Sequence, residues 1–205
     1  MDMLNRSIND FSSALASKAS VPGGGSASAL CGALAAALGG MVGSLTVGKE
    51  KYAAVEPILR ELLSQAEDLR RRLLACVEKD AAALEPLTKA YAIPKDDPSR
   101  EETLEECLRA AAVPPMEVLE LTGHAVELLR GFADMGSPIA VSDAAVGAAL
   151  ALAAMRGAEI NVRVNTRLMK DRAFAEKLNE HAAALTEKYA RQAEKIYNDV
   201  YGRLT

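Results

Sequence analysis

Residues 21–48 restrict the possible folds most, because they carry no charged side chain and consist largely of glycine and alanine. Their central part, residues 27–47, is long enough to cross a bilayer as a helix. Its hydroxyl side chains, its many small residues and the lack of a basic residue directly before it disfavour a membrane span. We therefore predict a helix that is buried on all sides of a helical bundle, with no membrane partner.

An all-α fold is predicted for the rest of the chain as well. Half of the 205 residues are apolar, mostly alanine and leucine, and only 4% are aromatic, which favours helices over strands. The periodicity predicts seven helices, at about 2–18, 26–47, 53–91, 99–114, 115–134, 142–168 and 171–203. Because the loops are short, we expect a single domain over residues 1–205, an antiparallel bundle of six to seven helices.

The charge and the cysteine content argue against several classes of protein. The net charge of −4 leaves no basic field that would bind nucleic acid. The three cysteines, Cys31, Cys76 and Cys107, have only His124 and His181 as companions, which indicates neither a disulfide framework nor a metal site. Because the cysteines form no disulfide pattern, we expect a protein of the reducing cytoplasm. The N-terminal residues alternate like an amphipathic helix rather than a signal peptide.

The sequence "PGGGS" at residues 22–26 is predicted to form a turn before the second helix, with Ser26 as its N-cap. Backbone N–H groups at such a helix N-terminus can bind an anion. The lysine of a phosphate-binding loop and the strand before a dinucleotide-binding loop are both missing, which disfavours a nucleotide. Two interpretations stay open: an anion site, or a tight turn that needs glycine only for its backbone.

Asp80 interrupts the apolar stripe of the third predicted helix. Leu73, Val77, Leu84 and Leu87 recur at steps of three and four residues, and Asp80 occupies a position where this pattern requires an apolar side chain. Desolvation raises the pKa of a carboxyl group, which suits it to proton transfer near neutral pH. The alternative is a structural carboxylate that is paired with a lysine or with a helix N-terminus.

Asp143 lies in the first turn of the sixth predicted helix, next to the predicted N-cap Ser142. The helix dipole favours an anion there, so we expect Asp143 to stay ionised; the alternative is an ordinary first-turn acid. The same helix face continues through small residues to Asn161 and Asn165. Such a face packs closely, and its asparagines need hydrogen-bond partners.

Three segments together carry a family resemblance. They are "VPGGGSASALCGALAAALGGMVGSLTVGKEKY", "EKDAAALEPLTKAY" followed by "IPK", and "VSDAAVGAALALAAMRGAEINVRVN". In order and spacing, over nearly the whole chain, they resemble the cyclodeaminase and methenyltetrahydrofolate cyclohydrolase family of folate one-carbon enzymes. The resemblance implies an all-helical homodimer with the folate site in a cleft near the subunit interface. It also implies a tetrahydrofolate derivative as the substrate, with or without a polyglutamate tail, and no tightly bound cofactor.

The family's functional segments fall on Gly23, Gly24, Gly25 and Ser26, on Lys49, Lys51 and Tyr52, on Asp80, and on Ser142 and Asp143. We predict that Asp80 transfers protons and that Asp143 is the anion beside the reacting cation or the pterin. The lysines would receive the glutamate tail, and Asn161 and Asn165 complete the predicted substrate-binding set.

The resemblance leaves three activities open. The first is cyclodeamination of 5-formiminotetrahydrofolate to 5,10-methenyltetrahydrofolate and ammonia. The second is the cyclohydrolase reaction, from 5,10-methenyl- to 10-formyltetrahydrofolate. The third is a non-catalytic helical dimer that binds a ligand or acts as a scaffold. The pathway, such as histidine degradation or one-carbon assimilation, and a separate formiminotransferase partner also stay open.

Overall fold

The computed structural model describes residues 3–204, and all regular structure in that range is helical. The helices are α1 (Ile8–Leu15), α2 (Gly24–Ser44), α3 (Glu56–Ala92), α4 (Arg100–Met135), α5 (Val141–Thr166) and α6 (Arg172–Tyr201). A short 3-10 turn, Glu50–Tyr52, lies between α2 and α3. The predicted all-α class is confirmed for the described part of the chain. Its six α-helices lie within the expected range of six to seven but are one fewer than the seven segments that the periodicity predicts.

The glycine-rich helix α2 is central, since it packs against α3, α4 and α5. A Cβ added at Gly39 would lie 3.0 Å from the ring of Phe132, and one added at Gly43 would lie 2.6 Å from the same ring. Glycine therefore lets an α4 side chain reach the α2 backbone. The prediction that α2 is buried on all sides is wrong for one face, because Leu34 and Met41 are 47% and 48% exposed.

The helix α5 runs antiparallel to α2. A Cβ added at Gly24, at the start of α2, would lie 3.5 Å from the amide nitrogen of Asn161 near the end of α5. At the opposite end, the backbone N–H of Ser137, just before α5, donates a hydrogen bond of 2.8 Å to the hydroxyl of Thr46, just after α2. The start of α2 and the end of α5 thus share one end of the bundle.

The same two helices, α2 and α5, are long and apolar enough to cross a membrane by length and composition alone. About half of the apolar window of each helix is buried, 56% and 50%, as in core helices that leave one side uncovered. The large apolar side chains on the uncovered side are Leu34, Met41, Val146, Ile160 and Val164. We call this set of side chains the α2–α5 face.

The two predicted serine N-caps are wrong. The helix α2 begins at Gly24 with Gly23 as its N-cap, and Ser26 lies inside the first turn. The helix α5 begins at Val141, so Ser142 lies inside it and makes no cap hydrogen bond. Cap propensity was a weak guide here because the Ser26 hydroxyl is used in a contact with α3, a partner that is distant in sequence.

The predicted break at Pro114 and Pro115 is also wrong, because α4 continues through both residues as one helix. A proline inside a helix removes one hydrogen bond to the carbonyl four residues earlier. For Pro115 that carbonyl belongs to Ala111, and the side chain of Asn165 in α5 donates to it at 2.9 Å. A contact with another helix therefore replaces the lost bond.

The remaining boundaries differ from the prediction by a few residues at most, except in α1. The predicted helix over 2–18 is shorter, starting after the N-cap Ser7 and ending at Leu15; residue 2 lies outside the described residues, as do residues 1 and 205 of the predicted domain. The predicted start of the last helix at Asp171 is confirmed, since its carboxylate accepts the backbone N–H of Phe174 as an N-cap.

Candidate functional site

The carboxylate of Asp80 projects from the middle of α3 toward the N-terminus of α2. The Ser26 hydroxyl donates to Asp80 Oδ2 at 2.8 Å and also lies 3.2 Å from the carbonyl of Val77. Ser26 is fully buried, whereas Asp80 is half-buried. The prediction that Asp80 occupies a core-facing position is thus confirmed, with one side of the carboxylate left open.

Two opposing effects act on the Asp80 carboxyl group. Burial raises its pKa above the ordinary value, because the charged form is poorly solvated, and this effect is the larger. Hydrogen bonds from the hydroxyl and the backbone N–H of Ser26 lower the pKa, because they favour the anion. The net direction is upward, which suits Asp80 to proton transfer closer to neutral pH than an exposed aspartate.

The glycine turn surrounds this carboxylate closely. A Cβ added at Gly25 would lie 2.0 Å from Asp80 Oδ1 and 2.5 Å from its carboxyl carbon. No side chain larger than hydrogen fits there while Asp80 keeps its position. The two interpretations of the turn therefore combine: the N-terminus of α2 does bind an anion, and that anion is the protein's own Asp80.

A pocket of about 140 Å³ opens beside Asp80. It is lined by the first turn of α2, by Leu84 and Leu87 of α3, by Ala111 of α4 and by Val164 and the two asparagines of α5. Pockets for complete small-molecule ligands usually measure about 300–1,000 Å³. A single chain therefore encloses only part of a ligand as large as a folate.

The pocket presents mainly hydrogen-bond acceptors. The amide nitrogen of Asn161 donates to the carbonyl of Gly157 at 2.7 Å, and that of Asn165 donates to the carbonyls of Ala111 and Asn161 at 2.9 and 3.1 Å. The Asn165 amide thus has both of its hydrogens engaged on the backbone and the Asn161 amide has one, and the oxygens of both amides are left for a ligand. Together with the carboxylate of Asp80, they suit a cation or a group rich in N–H donors.

The other predicted site residues lie at the opposite end of the bundle. Lys49, Lys51 and Tyr52 follow the C-terminus of α2, where Lys51 lies 5.5 Å from the ring centroid of Tyr52. Ser142 and Asp143 lie half-buried in the first turn of α5, near the same end. The structure thus divides the predicted set into an Asp80 end and an Asp143 end.

Within one chain these two ends do not meet. The 21 residues of α2 separate them, which is roughly 30 Å at a rise of about 1.5 Å per residue. The prediction that Asp80 and Asp143 act on one substrate therefore requires a second chain, and it stays a prediction.

A larger cleft, of about 540 Å³, lies where the α3–α4 loop meets the end of α5. Its charged side chains largely satisfy one another or the backbone: Lys170 pairs with Glu101, and Arg100 donates to the carbonyl of Ile93. We therefore assign the chemistry to the smaller pocket, where Asp80 is half-buried and faces acceptors rather than a cation.

Within residues 3–204, no group of three or more histidine, cysteine or acidic side chains is placed so that it could bind a metal ion. His124 and His181 are exposed. Cys31, Cys76 and Cys107 are all free thiols.

Sequence reasoning missed Ala111 and Pro115 as parts of the site. Ala111 lines the pocket, and Pro115 frees the carbonyl that anchors Asn165. The two successive prolines were the available signal. Sequence reasoning took them only as a helix break, and their other effect, a free carbonyl for a side chain of α5, was not considered.

Comparisons with known proteins agree with this architecture. Residues 7–184 match the family described as formiminotransferase-cyclodeaminase. A methenyltetrahydrofolate cyclohydrolase from Methylorubrum extorquens is 35% identical over 98% of both chains. The formimidoyltransferase-cyclodeaminase of Mus musculus is 28% identical, and this chain spans 38% of its length. The crystal structure of formiminotetrahydrofolate cyclodeaminase from Thermotoga maritima matches with a TM-score of 0.85 and 27% identity, covering 98% of this chain and 100% of that chain.

Proposed function

Because the chain belongs to the formiminotransferase-cyclodeaminase family, we propose that it forms or opens the one-carbon bridge between N5 and N10 of a tetrahydrofolate. It is an enzyme of the cyclodeaminase or cyclohydrolase type. The observation that carries the proposal is the half-buried carboxylate of Asp80, held by Ser26 beside a pocket of hydrogen-bond acceptors.

In the hydrolytic direction, water attacks the cationic carbon of 5,10-methenyltetrahydrofolate. Asp80 accepts one proton of that water as the new C–O bond forms. The tetrahedral intermediate then breaks its C–N5 bond, and Asp80 returns a proton to N5, which leaves 10-formyltetrahydrofolate. The second proton of the water is released to solvent, so the charge balances.

Cyclodeamination passes through a tetrahedral carbon at the same place. The formimino group is protonated on its terminal nitrogen, and N10 attacks its carbon. Asp80 then moves the proton from N10 to the departing nitrogen. Ammonia leaves, and the methenyl cation remains beside the acceptors of the pocket. Neither reaction requires a resident cofactor, because the substrate supplies both the electrophilic carbon and the leaving group.

Two findings favour different members of this pair. The full-length relative with 35% identity is named a cyclohydrolase, and the full-length solved structure is described as a cyclodeaminase. Incubating the purified chain separately with 5-formimino- and 5,10-methenyltetrahydrofolate, while following methenyl absorbance, separates them. Absorbance gained from the first substrate identifies cyclodeamination, and accelerated loss from the second identifies hydrolysis. No turnover of either would reject the proposal.

The two aspartates are tested by single substitutions to asparagine. We expect Asp80→Asn to lower kcat by about 10²–10⁴-fold, because proton transfer in the transition state is lost. Asp143→Asn removes an anion and is expected to lower kcat, or to raise KM if Asp143 holds the pterin instead. Near-normal turnover by both variants would reject the assigned mechanism.

We further propose that the active form is a homodimer that packs through the α2–α5 face. This face carries large apolar side chains that are 46–61% exposed, and α2 has no charged residue along its 21 positions. Contiguous apolar surface of this kind is typical of an interface between subunits. A second copy would supply the same apolar side chains and the same uncharged helix α2.

A twofold axis that lies in the plane of the α2–α5 face, perpendicular to the two helices at their middle, would also complete the site. Such an axis reverses the direction of both helices, so the Asp143 end of one copy falls beside the Asp80 end of the other. Asp143, Lys49 and Lys51 of the second copy would then surround the open side of the small pocket. The lysines would bind the glutamate tail of the substrate.

A separate formiminotransferase is a fitting partner for this chain, because the name of the Mus musculus relative, formimidoyltransferase-cyclodeaminase, combines the two activities in one protein.

Mixing the two impaired variants, at a substrate concentration where each alone has little activity, tests this shared site. If each site takes Asp80 from one chain and Asp143 from the other, a heterodimer of Asp80→Asn and Asp143→Asn contains one intact site. Random re-association of equal amounts should then recover about a quarter of wild-type activity, since half of the dimers are heterodimers with one intact site of two. No recovery, despite heterodimers detected by mass spectrometry, would place both aspartates of a site in one chain.

A further inference from the structure

Helix α4 carries two buried prolines in succession, and they leave two carbonyls without their usual helical partners. Pro114 frees the carbonyl of Ala110, an exposed residue that water can reach. Pro115 frees the carbonyl of Ala111, a residue only 8% exposed that lines the pocket beside Asp80. A buried carbonyl requires a replacement donor.

Asn165 of α5 supplies that donor. Its amide nitrogen lies 2.9 Å from the carbonyl of Ala111 and 3.1 Å from the carbonyl of Asn161. The –NH₂ group has two hydrogens, and these two backbone carbonyls use both. The amide therefore cannot offer a donor to a ligand, and the part that remains for the pocket is the carboxamide oxygen.

We propose that Pro115 is a positioning residue for substrate recognition: by exposing the Ala111 carbonyl, it fixes the Asn165 amide with its oxygen toward the pocket, as an acceptor for a ring N–H of the substrate. This proposal rests on the proposed function, because a pterin carries N–H donors on its edge. Asp80 and Asn165 line the same pocket, so the fixed amide oxygen holds the ring while Asp80 serves the reacting carbon.

A helical residue with an N–H at position 115 would undo this arrangement. In Pro115→Ala the new N–H can bond to the Ala111 carbonyl within α4, and the Asn165 amide becomes free to rotate. We expect the KM for the folate to rise about 3–10-fold, the loss typical of one hydrogen bond between uncharged groups. The kcat should change less, and the melting temperature should stay the same or rise.

Pro114→Ala is the matched control, because it also replaces a buried proline of the same helix but restores a bond to an exposed carbonyl. Its KM should equal that of the wild type. An equal rise of KM in both variants would show a general effect of the prolines on α4 and would overturn the proposal.

The double variant Asn165→Ala with Pro115→Ala separates positioning from a merely structural role. Asn165→Ala alone leaves the Ala111 carbonyl without a partner and should lower the melting temperature. Adding Pro115→Ala supplies the helical N–H and should restore the melting temperature, while KM stays high because the amide oxygen is gone. If KM returns to normal together with the melting temperature, Asn165 is only a clamp between α4 and α5, and the proposal fails.

The orientation of the amide can be measured without any folate. In the wild type, the side-chain –NH₂ protons of Asn165 should exchange slowly with solvent in ¹⁵N NMR spectra, and in Pro115→Ala they should exchange quickly. Slow exchange in both variants would overturn the proposal. A wild-type chain that turns over neither folate would reject the proposed function instead, and this exchange result would be unaffected.

Discussion

The position of Asp80 sets requirements on its two neighbours in α2. Ser26 donates to the carboxylate from inside the core, and Gly25 leaves the space that the carboxylate fills. Burial and hydrogen bonding act on its pKa in opposite directions, and burial prevails. A carboxylate in this setting is expected to cost stability while it serves chemistry.

Asp80→Asn should therefore separate activity from stability. Since the native pKa of Asp80 is raised above 3.8, the native state binds more protons than the unfolded state in the window above pH 3.8, and wild-type stability falls as the pH rises through the native pKa. The variant lacks this slope. We would measure the free energy of unfolding of both proteins by urea denaturation from pH 4 to 7.5. The value for Asp80→Asn minus the value for the wild type should increase as the pH rises. A difference that does not change with pH would contradict the raised pKa.

Gly25→Ala tests the steric requirement. The added methyl would lie 2.0 Å from Asp80 Oδ1, so the carboxylate must move, and we expect kcat to fall at least about tenfold as proton transfer loses its geometry. Gly24→Ala is the comparison, because its methyl would meet only an ordinary contact of 3.5 Å with Asn161. Steady-state kinetics of the two variants should differ clearly, and equal losses would exclude the close fit as the cause.

At the level of elements, single hydrogen bonds between helices fix the two ends of the bundle. Thr46, directly after α2, is fully buried; its hydroxyl donates to the carbonyl of Val42 and accepts the backbone N–H of Ser137 before α5. This contact fixes the end of the bundle that holds Asp143. The asparagine contacts of α5 with α4 do the same for the Asp80 end.

Thr46→Val should show the strength of that connection. Valine matches threonine in shape but cannot accept the Ser137 N–H, and an unsatisfied buried donor costs about 1–3 kcal/mol. Thr46→Ser keeps the hydroxyl and loses one methyl group, about 0.8 kcal/mol. Urea denaturation should rank the valine variant below the serine variant. The reverse order would show that packing of the methyl group, rather than the hydrogen bond, stabilises this end.

At the level of the whole molecule, the antiparallel arrangement of α2 and α5 explains why the predicted site residues lie at two opposite ends of one chain. The start of α2 lies beside the end of α5, where Gly24 faces Asn161, and the Asp143 end lies roughly 30 Å away. The uncovered α2–α5 face runs between these ends. Assembly across that face is therefore coupled to completion of the site in our proposal.

Leu34→Glu places a charge in the middle of the α2–α5 face. Because Leu34 is 47% exposed in the single chain, the fold should tolerate glutamate, whereas an apolar interface should not. We expect the mass measured by light scattering to fall from that of a dimer to that of a monomer, with loss of activity. Ala184→Glu, on an exposed position of α6, should change neither. A wild-type chain that is monomeric and active would reject the shared site.

The sequence by itself determined the helical class, most helix bounds and the exceptional place of Asp80. Periodicity and composition act over a few turns of a chain, so they predict which segments are helical and which residue interrupts an apolar stripe. The quoted segments also indicated the family, which the comparisons confirmed.

Only the tertiary structure decided that α4 continues through Pro114 and Pro115, that Ser26 binds Asp80 rather than capping α2, and that the predicted site residues lie at two ends of the bundle. Each outcome depends on a partner more than 50 positions away in the chain, such as Asn165 for the Ala111 carbonyl. Local propensity cannot predict such partners, because the hydrogen-bond partner of a buried polar group comes from the helix that packs against it in the fold.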